Sequence, residues 1–386
     1  MSRFHAYKDE AIRMIQDYRC EEPFSSYLKK QFARDRRKGS RDRKMIADLC
    51  YRYYRTCFLF EGKSSEEKLV YSLFLTTQKQ NDFFGLLSPE LNERIELSID
   101  DKLKYLNVDL SVQHLFPFIS FLSVGIHSEF FQKSFLSQPT VFIRIRPGYN
   151  NRVIEKLKQS VLPYDVMSDD CLSLPAGSKL DLLFELNKEV VVQDMSSQKI
   201  IPLLLSVFTK NDVIYAWDCC AASGGKSIHL YDLFPNVNLI VSDIRPSILR
   251  NLENRFKEAG VRNYDLKIAD LSLPFHSASQ YDLIIADVPC SGSGTWRRTP
   301  EQMKCFASDD IQNYVSLQRK IITNVLPSLK KGGYFLYSTC SAFAAENEEQ
   351  TAWMEKEFDL QIVSCGLIDS AHDMADTMYA AIFKKQ

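Results

Sequence analysis

The sequence VIYAWDCCAASGGK, residues 213–226, joins a short β-rich run that ends in an acid to a loop of small residues. Four further β-rich runs follow at 239–243, 266–270, 283–287 and 334–338, and helical patterns separate them. Strands that alternate with helices form βαβ crossovers, which build a mostly parallel sheet with helices on both faces. The second half of the chain is therefore predicted to fold as a doubly wound α/β domain.

The segment before the last of these runs has the pattern of a well-bounded helix. Asp309 is predicted to cap its start, with Gln312 three residues later, and Gly332-Gly333 ends the segment. Between them runs one apolar stripe at helical spacing, formed by Ile311, Val315, Ile322, Val325 and Leu329. An amphipathic helix is thus predicted to lead into the fifth strand.

Upstream of the α/β pattern the periodicity changes twice. Residues 7–131 have apolar residues at mixed three and four spacings with hardly any alternation, which predicts helices. Residues 141–146 then alternate partly and end at Pro147-Gly148, which is typical of a strand that runs into a turn. These changes predict a helical domain over residues 1–135, a small α+β connector over 136–187 and the α/β domain over 188–386.

The composition is that of an ordinary globular protein. Of 386 residues, 45% are hydrophobic and 25% are charged, which excludes a disordered or fibrous chain and favours more than one domain. The formal net charge of -1 provides no overall positive field for a nucleic acid. Locally, however, residues 29–55 hold eleven Lys and Arg against three Asp. Arg41, Arg43 and Lys44 are predicted to lie on a basic face that meets phosphates, with a solvated helix face as the alternative.

Neither a signal peptide nor a membrane span is predicted. Charged residues occupy positions 3, 8, 9 and 10, where an apolar signal core would lie, and the longest apolar run, residues 200–208, is far below the ~20 residues that span a bilayer. A cytoplasmic location is expected, so the ten cysteines are expected to be reduced thiols rather than disulfides. Six of them are expected to be buried apolar fillers: Cys20, Cys50, Cys57, Cys171, Cys305 and Cys365.

Ligands of a doubly wound sheet bind at the carboxyl ends of the strands, where this sequence places acids and small residues. The loop after the first strand is predicted to let its backbone approach a ligand closely, and it comprises Cys220, Ala221, Ala222, Ser223, Gly224, Gly225 and Lys226. Asp243 ends the second strand and could bind ribose hydroxyls, while Asp270, at the end of the third, could hold an adenine amino group. Neither G-x-G-x-x-G nor a phosphate-binding loop is present, which argues against dinucleotides and nucleoside triphosphates.

Two further motifs place a cysteine at the end of a strand. The sequence DVPCSGSG begins at Asp287 and contains Cys290, and YSTCS contains Cys340, with ENE following at residues 346–348. Strand-end placement holds a thiol rigidly beside the ligand site, which favours a chemical role over a filler role. Arg297 and Arg298 follow the first motif and are predicted to reach an RNA phosphate backbone.

These motifs resemble, in order, those of the RsmB/Nop/Sun group of S-adenosylmethionine-dependent RNA cytosine-5 methyltransferases, whose catalytic domain is a class I methyltransferase fold. VQDMSSQ at residues 192–198 is a further match. Residues 29–55 look like the NusB-like helical RNA-binding domain of the ribosomal-RNA members. Two departures stand out: Ser223 replaces the usual Pro, and DTMY at residues 376–379 replaces the usual D-G-F-F.

The resemblance implies a mechanism. The Cys340 thiolate would add to carbon 6 of cytosine so that carbon 5 can accept the methyl group, Asp287 would bind the base edge, and Cys290 would help to remove the carbon 5 proton or release the adduct. Residue chemistry alone leaves open which cysteine attacks. Lys226, Arg297 and Arg298 are candidates to raise the thiolate fraction of Cys340.

The sequence indicates the type of reaction more closely than it indicates which RNA is the substrate. The resemblance favours S-adenosylmethionine as cofactor and 16S ribosomal RNA as partner, with transfer RNA as the alternative, and it implies no metal. A non-catalytic RNA-binding assembly protein of the same fold is the alternative from a different class. A nicotinamide-dependent oxidoreductase is disfavoured because the G-x-G-x-x-G turn is absent. No sequence feature predicts the oligomeric state.

Overall fold

A computed structural model describes residues 3–35, 37–275, 280–369, 372 and 374–386. The chain begins with α-helices, as the periodicity predicts: α1 (Arg3–Asp17), α2 (Phe24–Arg34), α3 (Ser40–Thr56), α4 (Ser65–Thr76), α5 (Asp82–Leu87), α6 (Pro89–Glu93), α7 (Ile99–Tyr105) and α8 (Ser128–Ser134). Helix α4 starts at a capping box in which the Ser64 side chain accepts from the Glu67 backbone N–H and the Glu67 carboxylate accepts from the Ser64 N–H.

The chain divides into two compact units. The first, here called the helical unit, comprises residues 1–120, 127–138 and 296–307, and the second, the α/β unit, comprises residues 121–126, 139–295 and 308–386. The predicted domain boundaries after residues 135 and 187 stay a prediction. Aromatic rings, including those of Phe24, Tyr54 and Phe74, fill the core of the helical unit.

The α/β unit alternates strands and helices. Its elements are β1 (Val141–Ile145), α9 (Asn150–Gln159), β2 (Asp165–Val166), β3 (Cys171–Leu174), β4 (Val190–Val192), α10 (Met195–Ile200), β5 (Ile214–Asp218), α11 (Gly225–Leu233), β6 (Val237–Asp243), α12 (Pro246–Ala259), β7 (Tyr264–Ile268), β8 (Tyr281–Asp287), α13 (Gln302–Cys305), α14 (Asp310–Val325), β9 (Leu329–Thr339), α15 (Glu348–Glu357), β10 (Leu360–Asp369) and β11 (Thr377–Lys385). Of these, α13 lies in the helical unit.

The larger sheet confirms the predicted doubly wound α/β fold. Over the described residues its strand order is β10-β11-β9-β8-β5-β6-β7. Strands β9, β8, β5, β6 and β7 are parallel, and β11 pairs antiparallel with both β9 and β10 at one edge. Side chains of β8 alternate between two cores, with Leu283 and Ile285 on one face and Ile284 and Ala286 on the other. Both faces are therefore covered, as expected of a parallel sheet.

A smaller antiparallel sheet precedes it, with the order β2-β3-β1-β4. Arg144 lies in its strand β1 and Arg146 directly follows that strand; both are buried, and the Asp232 carboxylate at the end of α11 accepts hydrogen bonds from both. Arg144 Nη1 lies 2.8 Å and Arg146 Nη2 lies 2.6 Å from that carboxylate. These buried ion pairs fix the smaller sheet against the larger one within the α/β unit.

Several sequence-based expectations are corrected. Cys365 is exposed rather than a buried apolar filler. Helix α14 ends at Val325, so Leu329 and Gly332-Gly333 lie in β9 instead of in the helix and at its end. Cys20 and Cys305 form a disulfide within the helical unit, so the expectation of reduced, unpaired thiols is wrong for these two. Strand β7 ends at Ile268, so Asp270 follows the strand by two residues rather than ending it. Asp309 precedes α14, but its side chain makes no capping hydrogen bond. No helix among the described residues is long and apolar enough to span a bilayer.

Candidate active site

The loop after β5 is shaped by close packing. Gly224 adopts a left-handed conformation with φ of 79°, and a Cβ built on it would lie 2.7 Å from the Phe256 ring. The Ala222 N–H donates to Asp243 Oδ2 at 3.1 Å, which ties the loop to the end of β6. Only glycine satisfies both the conformation and the space at position 224, so this turn is specified by its sequence.

Ser223 is held from helix α12. Arg255 Nη1 donates to the Ser223 carbonyl oxygen at 2.8 Å and to Ser223 Oγ at 2.7 Å, and Arg255 Nε donates to Asn187 Oδ1 at 2.9 Å. A serine therefore anchors this turn through a side-chain hydrogen bond that a proline could not accept.

A cavity of about 410 Å³ opens beside this loop at the carboxyl edge of the parallel strands. This volume falls within the range of small-molecule sites. Its lining residues come from the ends of β5, β6, β7 and β8 and from helix α14: Cys219, Cys220, Ala222, Asp243, Ile244, Arg245, Ala269, Asp270, Leu271, Ser272, Asp287, Val288, Pro289, Leu317 and Ile321. The cavity thus gathers the acids that the sequence placed at strand ends.

Asp243 and Asp270 present oxygens to this cavity in different ways. Burial opposes ionisation of Asp243, but hydrogen bonds from the Arg245 side chain and backbone outweigh it and lower the pKa of the carboxyl group. Asp270 Oδ1 accepts from the backbone N–H and the hydroxyl of Ser272 at 3.0 and 2.6 Å. Asp270 keeps acceptor capacity for a ligand, whereas Asp243 already accepts from the Ala222 N–H and three times from Arg245, so a ligand hydroxyl would have to displace the Arg245 side chain.

The two strand-end cysteines lie together. Cys290 Sγ and Cys340 Sγ are 3.4 Å apart, and both side chains are half-buried. Hydrogen bonding to Cys340, followed by burial and the charge of Glu346, raises the pKa of the Cys290 thiol well above its ordinary value. The thiol form of Cys290 is therefore favoured beside Cys340 and Glu346.

Asp287 connects the cysteines to the cavity. Its Oδ2 accepts from Lys226 Nζ at 2.7 Å and its Oδ1 from Ser338 Oγ at 2.8 Å. Burial opposes protonation of Lys226, but the Asp287 carboxylate outweighs it and raises the pKa of the ammonium group, with a further contribution from Cys340. The ammonium group therefore provides a positive charge that can stabilise a thiolate at Cys340.

The loop and strand-end residues predicted for the site belong to the α/β unit, and the predicted RNA contacts belong to the helical unit. Lys226, Cys290 and Cys340 belong to the α/β unit, while Arg297 and Arg298 belong to the helical unit. Arg297 is 3% exposed, so its guanidinium group is not on a surface, whereas Arg298 is exposed. On α3, Arg41 and Lys44 are exposed and Arg43 is half-buried.

Several polar residues that hold the site together were not predicted. Ser338, Arg245 and Arg255 had no predicted role, and Glu346 was noted only as part of a motif. Only Glu346 offered a signal, because it is an acid five positions after the TCS motif and the residues between them are apolar or small. The Arg255 contact joins positions 32 apart in the chain, which no local pattern reveals.

Parts of this chain match known proteins in sequence. Residues 205–379 match the family model described as 16S rRNA methyltransferase RsmB/F. Ribosomal RNA small subunit methyltransferase B of Yersinia enterocolitica is 31% identical over 242 residues, which cover 60% of this chain and 55% of that protein. The chain thus spans about half the length of the curated relatives it matches.

Solved structures have the same fold at low sequence identity. The crystal structure of PH0851 superposes with a TM-score of 0.72 and 18% identity and covers 97% of both chains. A methyltransferase homologue from Pyrococcus horikoshii gives a TM-score of 0.59 at 20% identity, covering 75% of this chain and 100% of that one. The chain therefore shares the fold of these two structures, and residues 205–379 are similar to the RsmB/F methyltransferase family.

Proposed function

We propose that this protein is an RNA (cytosine-5)-methyltransferase that uses S-adenosylmethionine and acts on 16S ribosomal RNA. The observation that carries the proposal is the pair of sulfurs 3.4 Å apart, Cys290 and Cys340, at the ends of the neighbouring strands β8 and β9, of which β8 ends at the cavity-lining Asp287. Methylation at carbon 5 of cytosine needs a covalent route, since this carbon is a poor nucleophile until a thiolate has added to carbon 6. The family match over residues 205–379 supports the same chemistry.

The cavity residues fit the cofactor. Asp243 offers carboxylate oxygens for ribose hydroxyls, Asp270 an acceptor for an amino group, and the Cys220–Lys226 loop lets its backbone approach closely. Leu271, Leu317 and Ile321 form an apolar wall for a flat ring. When bound, S-adenosylmethionine supplies the electrophilic methyl group.

The residues of the chain then have distinct roles. Cys340 forms a bond from Sγ to carbon 6, the role that the family resemblance implies for it, and the positive charge of Lys226 favours its thiolate. Asp287, paired with Lys226, hydrogen-bonds the base at N3 and passes a proton to N3 as the bond to carbon 6 forms, because neutral cytosine carries no hydrogen there. After carbon 5 has gained the methyl group, Cys290 helps to remove the carbon 5 proton or to release the adduct. The carbon 5 proton passes to solvent, the bond from Sγ of Cys340 to carbon 6 breaks with its electron pair returning to sulfur, and N3 returns its proton to Asp287.

The cytosine must leave its stack to reach this pocket, so an unpaired RNA segment is the expected substrate. The exposed cations Arg41 and Lys44 of the helical unit, together with Arg298, are assigned to phosphate contacts. We extend this assignment to the NusB-like role of the helical unit, because its α3 carries the local excess of basic residues.

The test measures transfer of labelled methyl groups to 16S ribosomal RNA and to bulk transfer RNA, with bisulfite sequencing of the product. Cys340→Ala should lower the rate at least about 1,000-fold because the nucleophile is lost. Cys290→Ala should accumulate a covalent RNA complex that survives denaturing electrophoresis. The exposed Cys365 is the matched control, and Cys365→Ala should retain the wild-type rate.

The outcomes separate the alternatives. Retained turnover in Cys340→Ala would reverse the roles of the two cysteines. Methylation of transfer RNA without ribosomal RNA would replace the proposed substrate, and RNA binding without any transfer would favour the assembly protein.

A further inference from the structure

The two cysteine loops share a sequence feature. A serine follows each of the two cysteines, Ser291 after Cys290 and Ser341 after Cys340. The loops come from the ends of β8 and β9, so no covalent feature fixes the distance between the two thiols. A side chain that contacts both serines could fix this distance.

Glu346 makes those contacts from a fully buried position. Its Oε2 accepts from Ser291 Oγ and from Ser341 Oγ, each at 2.5 Å. Its Oε1 accepts from the Ser291 backbone N–H at 2.9 Å and from Gln318 Nε2 at 2.9 Å. One carboxylate group therefore binds the residue after each cysteine.

The carboxylate group is itself held in place. Tyr337 OH donates to the Glu346 carbonyl oxygen at 2.6 Å, and Gln350 Nε2 donates to Gln318 Oε1 at 2.8 Å. Ligating groups act with precision when a surrounding layer of hydrogen bonds fixes their orientation. The acceptor sites of Glu346 are thus fixed in space before any substrate binds.

Holding two loops with a buried acid costs free energy, because the carboxyl group must be removed from water. Burial raises the pKa of Glu346, and the hydroxyl groups of Ser291 and Ser341 oppose that rise. An uncharged group that only packed the loops would avoid the cost of removing a carboxyl group from water. The carboxylate of Glu346 instead supplies four acceptor positions on one rigid group, and the two cysteine loops and Gln318 use them.

We propose that Glu346 is a positioning residue that sets the distance between the sulfurs of Cys290 and Cys340. The roles of the two thiols rest on the proposed function, whereas the spacing itself does not. A displacement of about 1 Å at a reacting centre lowers rates about 100-fold, so a defined spacing matters if both sulfurs act on one pyrimidine ring.

The first test measures spacing without methyl transfer. Diamide removes one hydrogen from each of two neighbouring thiols and becomes the hydrazine, leaving a disulfide, and mass spectrometry of alkylated digests measures the rate of Cys290–Cys340 linkage. Glu346→Ala should lower this rate about tenfold, because the loops separate. Glu346→Gln should restore it to within about threefold of wild type, because an amide can accept from Ser291 N–H and Gln318 and donate to both hydroxyl groups.

The comparison of these two variants separates position from charge. Both variants remove the negative charge, so equal linkage rates in Glu346→Ala and Glu346→Gln would overturn the proposal. Glu189 is the matched control, since it is also fully buried and, just before β4, it binds Lys156 of helix α9. Glu189→Ala should lower the melting temperature while leaving the linkage rate unchanged.

If Glu346→Ala does not fold, Ser341→Ala removes one of the four bonds and should lower the linkage rate about threefold. The second readout is single-turnover methyl transfer, for which Glu346→Ala should lower kcat about 100-fold with KM for RNA within about threefold. If the linkage rate depends on Glu346 but the protein has no transferase activity, only the proposed function is overturned. If the protein is an active transferase but the linkage rate does not depend on Glu346, only the positioning role is overturned.

Discussion

Gly294 is a residue at which the site leaves no room for a side chain. A Cβ built there would lie 1.9 Å from the Thr377 carbonyl oxygen, and the Gly294 N–H donates to the Cys340 carbonyl oxygen at 3.0 Å. Relief requires displacement of backbone, because the neighbouring atom is not a flexible side-chain end. The start of β11 and the loop after Cys340 would both have to move.

Gly294→Ala should therefore lower the free energy of unfolding by about 2–4 kcal/mol, measured by urea denaturation. Gly366 in β10 is the matched control, because nothing lies within 4 Å of a Cβ at that position. Gly366→Ala should change the free energy by less than about 0.5 kcal/mol. Equal effects of the two substitutions would contradict the steric argument.

Glu301 is a buried acid in the helical unit that is 2% exposed, and its Oε2 accepts no hydrogen bond. Burial raises the pKa of its carboxyl group to about 7, partly opposed by Arg55. Between its ordinary pKa of 4.5 and this value, the folded chain binds a proton that the unfolded chain has released. Its contribution to stability is therefore full below pH 4.5 and is lost as the pH rises to about 7.

Glu301→Gln removes this titration. The variant should be about 3 kcal/mol more stable than wild type at pH 8 and equally stable at pH 4, measured by denaturation at both pH values. The exposed acid Glu21, also in the helical unit, serves as control, and Glu21→Gln should leave the pH profile unchanged. A gain of the same size at both pH values would show that packing rather than ionisation is responsible.

At the scale of elements, the sequence predicts strands well where both sheet faces are buried. Residues 283–287 lie inside β8 because every position of that run is apolar or terminal. The end of β7 was misplaced by two residues. This strand forms the edge of the sheet, and its residues are exposed or half-buried, so hydrophobic pattern does not mark its ends.

The predicted site shows the same division between local and long-range information. The cysteines and Asp287 could be placed because carboxyl ends of parallel strands meet at one edge. Their relative spacing could not be predicted, since it depends on Glu346, whose bonds span 5 and 55 positions in the chain. Pattern shows which elements meet, whereas packing sets distances between side chains.

Helix α12 contacts the turn before α11, and no sequence pattern predicts this contact. The Arg255 guanidinium group fixes Ser223 in the loop that lines the cavity. Arg255→Met should raise the Kd for S-adenosylmethionine about tenfold by calorimetry, because two hydrogen bonds to the turn are lost. Arg250, exposed on the same helix, is the control, and Arg250→Met should not alter the Kd. An unchanged Kd in Arg255→Met would mean that the turn holds its shape without this bond.

At the scale of the whole chain, residues 296–307 lie within the domain predicted over 188–386 yet pack in the helical unit. Their aromatic rings explain this placement. The Trp296 ring lies 5.8 Å from Phe116 and 5.8 Å from Phe118, and Phe306 lies 5.4 Å from Phe118. Burial of large rings outweighs proximity along the chain, which is why Arg297 is enclosed rather than presented to a phosphate.

The Cys20–Cys305 disulfide closes a loop with a sequence separation of 285 and fastens the same segment to the end of α1. A cross-link across a long loop restricts the unfolded chain and stabilises the folded one by about 2–5 kcal/mol. The denatured protein without reductant should therefore titrate with eight thiols, since two of its ten cysteines are paired. Dithiothreitol should lower the melting temperature of wild type and of Cys365→Ser, and should not affect that of Cys20→Ser, which should already melt at the lower temperature. Ten titratable thiols, or a melting temperature that does not respond to dithiothreitol, would mean that the helical unit holds residues 296–307 by its aromatic packing alone.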